Sequence, residues 1–191
     1  MERNLTHIAL FAALIAVLSL VPKIDLISGV PITAQSLGIM LCGTVLGAKR
    51  GAAAVLLFLA LVALGLPLLS GGRGGIGVFM GPSVGYLVGF PVAAFVAGLV
   101  VERWRAPIGV AAFAGAVLGG ILLLSAFGIV GLRAYSVLIA EGVADAKTFT
   151  WVQAVAAATP FLIGDTIKAV LAGAITQSLA RLRPDSVLSR A

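Results

Sequence analysis

The sequence predicts an all-α, polytopic membrane protein: six transmembrane helices in one bundle, with residues 1–191 forming a single unit. Three observations carry this reading. Of 191 residues, 61% are apolar and only 10% are charged, whereas soluble domains carry ~25% charged residues. The apolar residues gather into runs that approach the ~17–25 residues a helix needs to cross hydrocarbon. Finally, there are 24 glycines, many of them in fourfold spacing, which suits helices that pack backbone to backbone in lipid.

The first run, 5–21, has no small-x-small cleavage site before Pro22 and reads as a permanent helix rather than a cleaved signal. The second, 33–47, is short and carries Thr33, Gln35, Ser36 and Thr44, so it is expected to be tilted, broken or partly re-entrant. Runs 51–69, 82–101, 107–130 and 160–179 complete the set, separated by the Pro, Gly and charges that end helices. Trp104 and Trp151 fall near span ends, where indoles favour the interface.

Basic residues set the direction. With six spans, Arg3, Lys49, Arg50, Arg103, Arg105, Arg181, Arg183 and Arg190 fall on one side, and Lys23, Arg73, Arg133 and Lys147 on the other. The positive-inside rule then puts both termini in the cytoplasm. If the short second run does not cross, the split is unchanged and only the N-terminus flips. The net charge of +6 is thus read through orientation in the bilayer and not as a nucleic-acid signal; the basic residues form no block.

Small residues recur at Gly81, Gly85, Gly89, Ala93 and Ala97, and again at Gly115 and Gly119. These stripes predict close internal helix packing. In the first span Ala9 pairs with Ala13 and Ala12 with Ala16, faces that suit contact within the bundle or with another protein.

Asp165 and Lys168 stand inside an otherwise lipid-compatible stretch. An ionisable side chain in hydrocarbon costs at least ~2.5–3.5 kcal/mol on insertion scales, and three-residue spacing puts the two on one helical face. Ligand contact or proton coupling explains them better than a simple staple, because desolvation consumes most of a buried pair's attraction. From Pro160 at the outer end of the last run, Asp165 is expected roughly 8 Å and Lys168 roughly 12 Å down, at ~1.5 Å per residue. A guest would then arrive from outside.

The segment Gly71-Gly-Arg-Gly-Gly-Ile-Gly77 fits either a connecting turn or a lid, and Arg73 in it is placed to meet an anion. Gly72, Gly74 and Gly77 match G-x-G-x-x-G formally, but they follow a membrane helix rather than a strand and carry no nucleotide signal. Thr33 and Gln35 can offer hydrogen bonds at the mouth of the bundle, although taken alone they read first as polar residues solvated at an interface. A P-loop is absent from the sequence, and one Cys with one His leaves little for a transition metal. Catalytic patterns are thin: Asp25, Glu141 and Asp145 lie in loops, and only Lys168 with Ser83 or Ser125 has the makings of a Ser–Lys hydrolase.

Taken together, Val30-Pro-Ile-Thr-Ala-Gln-Ser-Leu-Gly38, Gly47-Ala-Lys-Arg-Gly51, the run from Gly65 through Gly77, Gly81-Pro-Ser-Val-Gly-Tyr86 and Pro160-Phe-Leu-Ile-Gly-Asp-Thr-Ile-Lys168 closely resemble the BioY family. These are the biotin-binding S components of energy-coupling-factor (ECF) vitamin transporters. Val84 stands where the family often has glycine, and Ile163 where proline is common.

The resemblance implies six crossings with both termini inside, in the cell membrane, and a vitamin site under the loops joining spans one to two and three to four. It implies no cofactor and no enzymatic activity of its own. Biotin is the transported ligand, and the partners are a transmembrane coupling subunit and ABC-type ATPases, met through Ala9 and Ala13. On this reading Asp165 accepts the ureido N–H bonds and Lys168 keeps it charged. Arg73 takes the valerate carboxylate, with Lys168 the rival. Phe79 and Tyr86 flank the rings, and Thr33, Gln35, Gly77 and Ser83 complete the substrate-binding set. Two alternatives are a proton-coupled carrier of a small organic anion, titrating on Asp165, and the intramembrane hydrolase.

Overall fold

The computed structural model describes residues 2–26, 30–138 and 147–190, so Glu141 and Asp145 lie outside it. Six helices follow in chain order: α1 Glu2–Leu18, α2 Gln35–Leu46, α3 Ala48–Ala63, α4 Val84–Arg103, α5 Ile108–Leu138 and α6 Trp151–Leu182. The middle of α5, Ala116–Leu123, widens into π-helical turns. Among the described residues there are no strands, only two isolated antiparallel bridges in loops, Ile24 with Ile32 and Leu69 with Arg73.

Helices α4, α5 and α6 are each long and apolar enough to cross a membrane; Asn4–Leu18 and Gln35–Leu46 are shorter apolar helices. At 12 residues, α2 is roughly 18 Å long, well short of the ~30 Å hydrocarbon core. Burial explains how it stands: every residue from Gly38 to Leu46 is buried by other helices. Gly47, at φ 88°, then turns the chain straight into α3. A left-handed φ favours glycine there, and a side chain would also run into the Glu102 carboxylate.

The last helix starts earlier than the apolar run suggests. Thr150 and Gln153 form a reciprocal capping box, which satisfies two orphan N-terminal groups, and Pro160 lies within the helix on its exposed side. Asp165 is therefore roughly 21 Å along α6 from Trp151 at ~1.5 Å per residue, and the estimate of 8 Å from a helix end at Pro160 is corrected. Similarly, α5 runs past Val130 to Leu138, and α3 stops at Ala63, before Gly65 (φ 105°) and Pro67.

The small-residue stripe of α4 meets that of α5 as an antiparallel zipper. A methyl group added at Gly119 would strike the Ala93 carbonyl, and one at Gly115 would lie 2.5 Å from the Ala97 carbonyl oxygen. At the other end Gly85 and Gly131 face each other: a methyl at Gly85 would sit 2.6 Å from Gly131 Cα. Gly81 stays outside this contact, with only the Val78 carbonyl within 4 Å of such a methyl. Gly43 and Gly98 do the same work between α4 and the α2–α3 corner. Dispersion across such close faces replaces the hydrophobic drive that lipid removes.

After α6 the chain folds back across this corner. Val187, Leu188 and Ser189 are buried, and Ser189 Oγ donates to the Thr44 carbonyl at 2.7 Å. Arg190 donates to the carbonyls of Val101, Trp104 and Ala106 at 3.2, 2.7 and 2.8 Å, a cationic cap on the C-terminal end of α4.

Candidate functional site

The buried stripe of α6 includes Ala158, Phe161, Asp165, Ala169, Ala172 and Thr176, a spacing of three and four that turns one face inward. Asp165 thus faces the bundle core, 6% exposed. Opposite it stands Ser36, in the first turn of α2, so the carboxylate meets the positive end of that helix. Ser36 Oγ donates to Asp165 Oδ1 at 3.0 Å. Lys168 Nζ donates to the same oxygen at 2.8 Å and to Ser36 Oγ at 2.8 Å. The three groups close a triangle, and Asp165 Oδ2 has no hydrogen-bond partner among the described residues. One ammonium hydrogen is also unspent, since –NH3+ carries three donors.

The triangle forms one wall of a chamber between α2, α4, α5 and α6. Apolar side chains make most of its lining, chiefly Leu87, Phe90, Leu124 and Phe161. Tyr86 stacks obliquely on Phe161, with ring centroids 5.5 Å apart at 32°. Its hydroxyl is buried and has no hydrogen-bond partner among the described residues, an arrangement that costs ~1–3 kcal/mol unless something else supplies the bond. Tyr86→Phe is therefore expected to keep or raise the melting temperature while weakening ligand binding about tenfold. Equal affinity in a titration of the two purified proteins would show that the hydroxyl makes no ligand contact.

Two loops cover the chamber. After α1, Ile24 and Ile32 exchange hydrogen bonds at 3.1 and 2.9 Å, and Lys23 is paired to Asp25 at 2.6 Å. After α3, residues 68–70 are tied to Gln35: its Nε2 donates to the carbonyls of Ile15 and Leu68 at 3.3 and 3.0 Å, and its Oε1 accepts from Ser70 N at 3.1 Å. Both amide hydrogens of Gln35 are spent on backbone. It positions the cover over the chamber. The chamber itself has a volume of about 60 Å³, room for a few waters and far below the roughly 300–1,000 Å³ of pockets that hold drug-sized ligands. A larger guest enters only if the covering loops or lining side chains shift.

Of the residues nominated from sequence, the chamber brings together Thr33, Gln35, Arg73, Ser83, Tyr86, Asp165 and Lys168. Arg73 Nε donates to the Ser70 carbonyl at 3.3 Å, which holds the guanidinium at the rim; its terminal nitrogens have no partner among the described residues. Gly77 and Phe79 do not line the chamber. Gly77 is exposed with open space around it, and Phe79 packs half-buried against the apolar core. The Lys168 hydroxyl partner is Ser36, and neither Ser83 nor Ser125 bonds to it. Ala9 and Ala13 are exposed on α1, whereas Ala12 is buried.

A helical bundle with a largely apolar chamber and one charged triangle in its wall is an integral membrane protein suited to a small, mostly apolar guest bearing a few polar groups. The chain belongs to the BioY family, whose model matches residues 2–185. It is 53% identical to the biotin transporter BioY of Rhodobacter capsulatus over the whole of both chains. It is 47% identical to the biotin transporter BioY of Rhizobium etli, covering 93% of this chain and 92% of that one. In three dimensions it matches a crystal structure of the S component for biotin from an ECF-type ABC transporter, with a TM-score of 0.82 and 30% identity over 94% of this chain and 92% of that one.

Proposed function

We propose that this protein is the biotin-capturing S component of an ECF-type vitamin transporter, and that biotin binds in the chamber between α2, α4, α5 and α6. The observation that carries the reading is the Ser36–Asp165–Lys168 triangle, set in an apolar wall in a chain of this family. Biotin presents a ureido group with two N–H donors and one carbonyl, a thioether ring, and a valerate ending in carboxylate. Asp165 Oδ2 accepts a ureido N–H. The unspent hydrogen of Lys168, or the Tyr86 hydroxyl, donates to the ureido carbonyl. Phe90, Leu124 and Phe161 enclose the thioether ring, and Arg73 at the rim takes the carboxylate. Gln35, Thr33 and Ser83 act from the mouth of the chamber, Gln35 chiefly by holding the α3–α4 loop.

The protein sits in the cell membrane with both termini in the cytoplasm and the chamber opening outward, as the distribution of basic residues favours. Transport draws on ATP hydrolysis by partner ATPases through a membrane coupling subunit, met along the exposed Ala9–Ala13 face of α1. Equilibrium titration of the detergent-purified protein with biotin and with other vitamins tests the proposal. Tight, saturable binding of biotin alone is the expected result; binding of another vitamin in its place, or of none, would overturn the assignment.

A further inference from the structure

At the end of the bundle away from the chamber, Arg103 stands between two grooves. The larger, about 720 Å³, lies between α4 and α5, is walled by Val100, Phe113, Val117 and Leu118, and ends at Arg103 and Trp104. The other, about 590 Å³, lies between the start of α3, the end of α4 and the folded-back tail. Leu99 and Arg103 belong to both. Phe95 continues the apolar floor of the second groove, and Lys49, Arg50, Glu102 and Arg190 bring charge to its rim.

These charges are not equivalent. Arg50 is committed to the Leu188 carbonyl at 2.9 Å, and Arg190 to the carbonyls that end α4. Glu102 accepts the Ala48 N–H at 2.8 Å, so the one acid at the rim is engaged with backbone. Lys49 and Arg103 are exposed and have no partner among the described residues. Arg103 thus stands at the end of an open apolar groove, beside a half-exposed Trp104, and Lys49 lines the neighbouring groove that Arg103 also lines.

We propose that this is a binding site for an anionic phospholipid, with one acyl chain in the α4–α5 groove and the headgroup phosphate shared by Arg103 and Lys49. Lipid chains fill any apolar groove on the flank of a membrane protein; charge selects which lipid stays. A guanidinium matches phosphate geometry in a way a lone ammonium does not, and basic pockets between helices at the membrane surface favour acidic headgroups. A zwitterionic headgroup would bring its own cation into a rim that is already positive. This site is independent of the chamber and of what the chamber binds.

Native mass spectrometry of the chain in neutral detergent, titrated with dioleoylphosphatidylglycerol or dioleoylphosphatidylcholine, tests the site. The phosphatidylglycerol adduct is expected to form at least about tenfold more tightly. Lys49→Gln with Arg103→Gln should abolish that preference. Arg181→Gln with Arg183→Gln, an equal charge change at the C-terminal end of α6, should leave it intact. Ala114→Trp, which narrows the groove without touching a charge, should weaken both adducts. Equal binding of the two lipids, equal loss in both charge pairs, or displacement of the lipid by glycerol 3-phosphate alone would each overturn the proposal. Melting temperatures of the variants, measured alongside, confirm that each remains folded.

Discussion

Lys168→Ala is expected to weaken biotin binding by about 100-fold or more while leaving the protein folded in the membrane. With the ammonium gone, the ligand loses a charged donor and Asp165 loses the partner that aims it; hydrogen bonds to charged groups are worth ~1.5–3 kcal/mol each, and 1.4 kcal/mol is tenfold in affinity. Here Asp165 keeps only the Ser36 hydroxyl, in a site where its side chain is 8% exposed. Asp165→Asn should have an effect of the same order, because the amide retains the shape but leaves the ammonium without its counter-charge. Ser36→Ala removes a neutral member and should weaken binding by about tenfold at most. Titration of the three purified variants with biotin measures these losses. If Lys168→Ala bound like the parent, the triangle would be structural and its place in the proposed site would be lost.

Gly131→Val is expected to damage the fold severely. A side chain at residue 131 runs directly into the backbone of Gly85, whose own N lies 2.6 Å from where the Cβ would stand. Most overpacked positions relax by moving a flexible neighbour, at ~1–3 kcal/mol. This contact is backbone on backbone, so the helices must part, and roughly 3 kcal/mol or more of stability should go. Gly77→Ala supplies the comparison: nothing lies within 4 Å of a methyl there and its φ is ordinary. Thermal unfolding in detergent should show a fall of about 10 °C for the first and no change for the second. Equal melting points would mean that the two helices do not touch at Gly85.

Much of this was legible in the residues themselves, for identifiable reasons. Asp165 and Lys168 stand out because charge in an apolar stretch is costly, so its presence asks for a cause. The α4 and α5 stripes are visible because fourfold spacing of small residues has a definite packing consequence, and the zipper uses both. Ser36 is hidden: a serine in an apolar run costs little, and only the folded chain brings it to a carboxylate 129 positions away. Phe161 and Leu124 are hidden likewise, since one apolar residue on an apolar helix does not announce which way it faces. Gly77 and Phe79 follow the opposite course, adjacent in sequence to the covering loop yet outside the chamber's lining. The start of α6 is a matter of competing signals. Pro160 reads as a first-turn residue, but Thr150 and Gln153 hold the stronger N-terminal pattern and extend the helix over residues of moderate hydropathy.

Where Gly85 meets Gly131, no layer of side chains lies between the two backbones on which one helix could slip along the other. Tyr86, Leu87, Phe90 and Leu124 all ride on that welded pair. One side of the chamber's lining is consequently carried on one closely packed helix pair, so in the proposed biotin site any widening is expected on the opposite side, at α6 and residues 68–73. Uptake kinetics are then expected to answer to substitutions on that opposite side more than to conservative ones behind the α4–α5 contact.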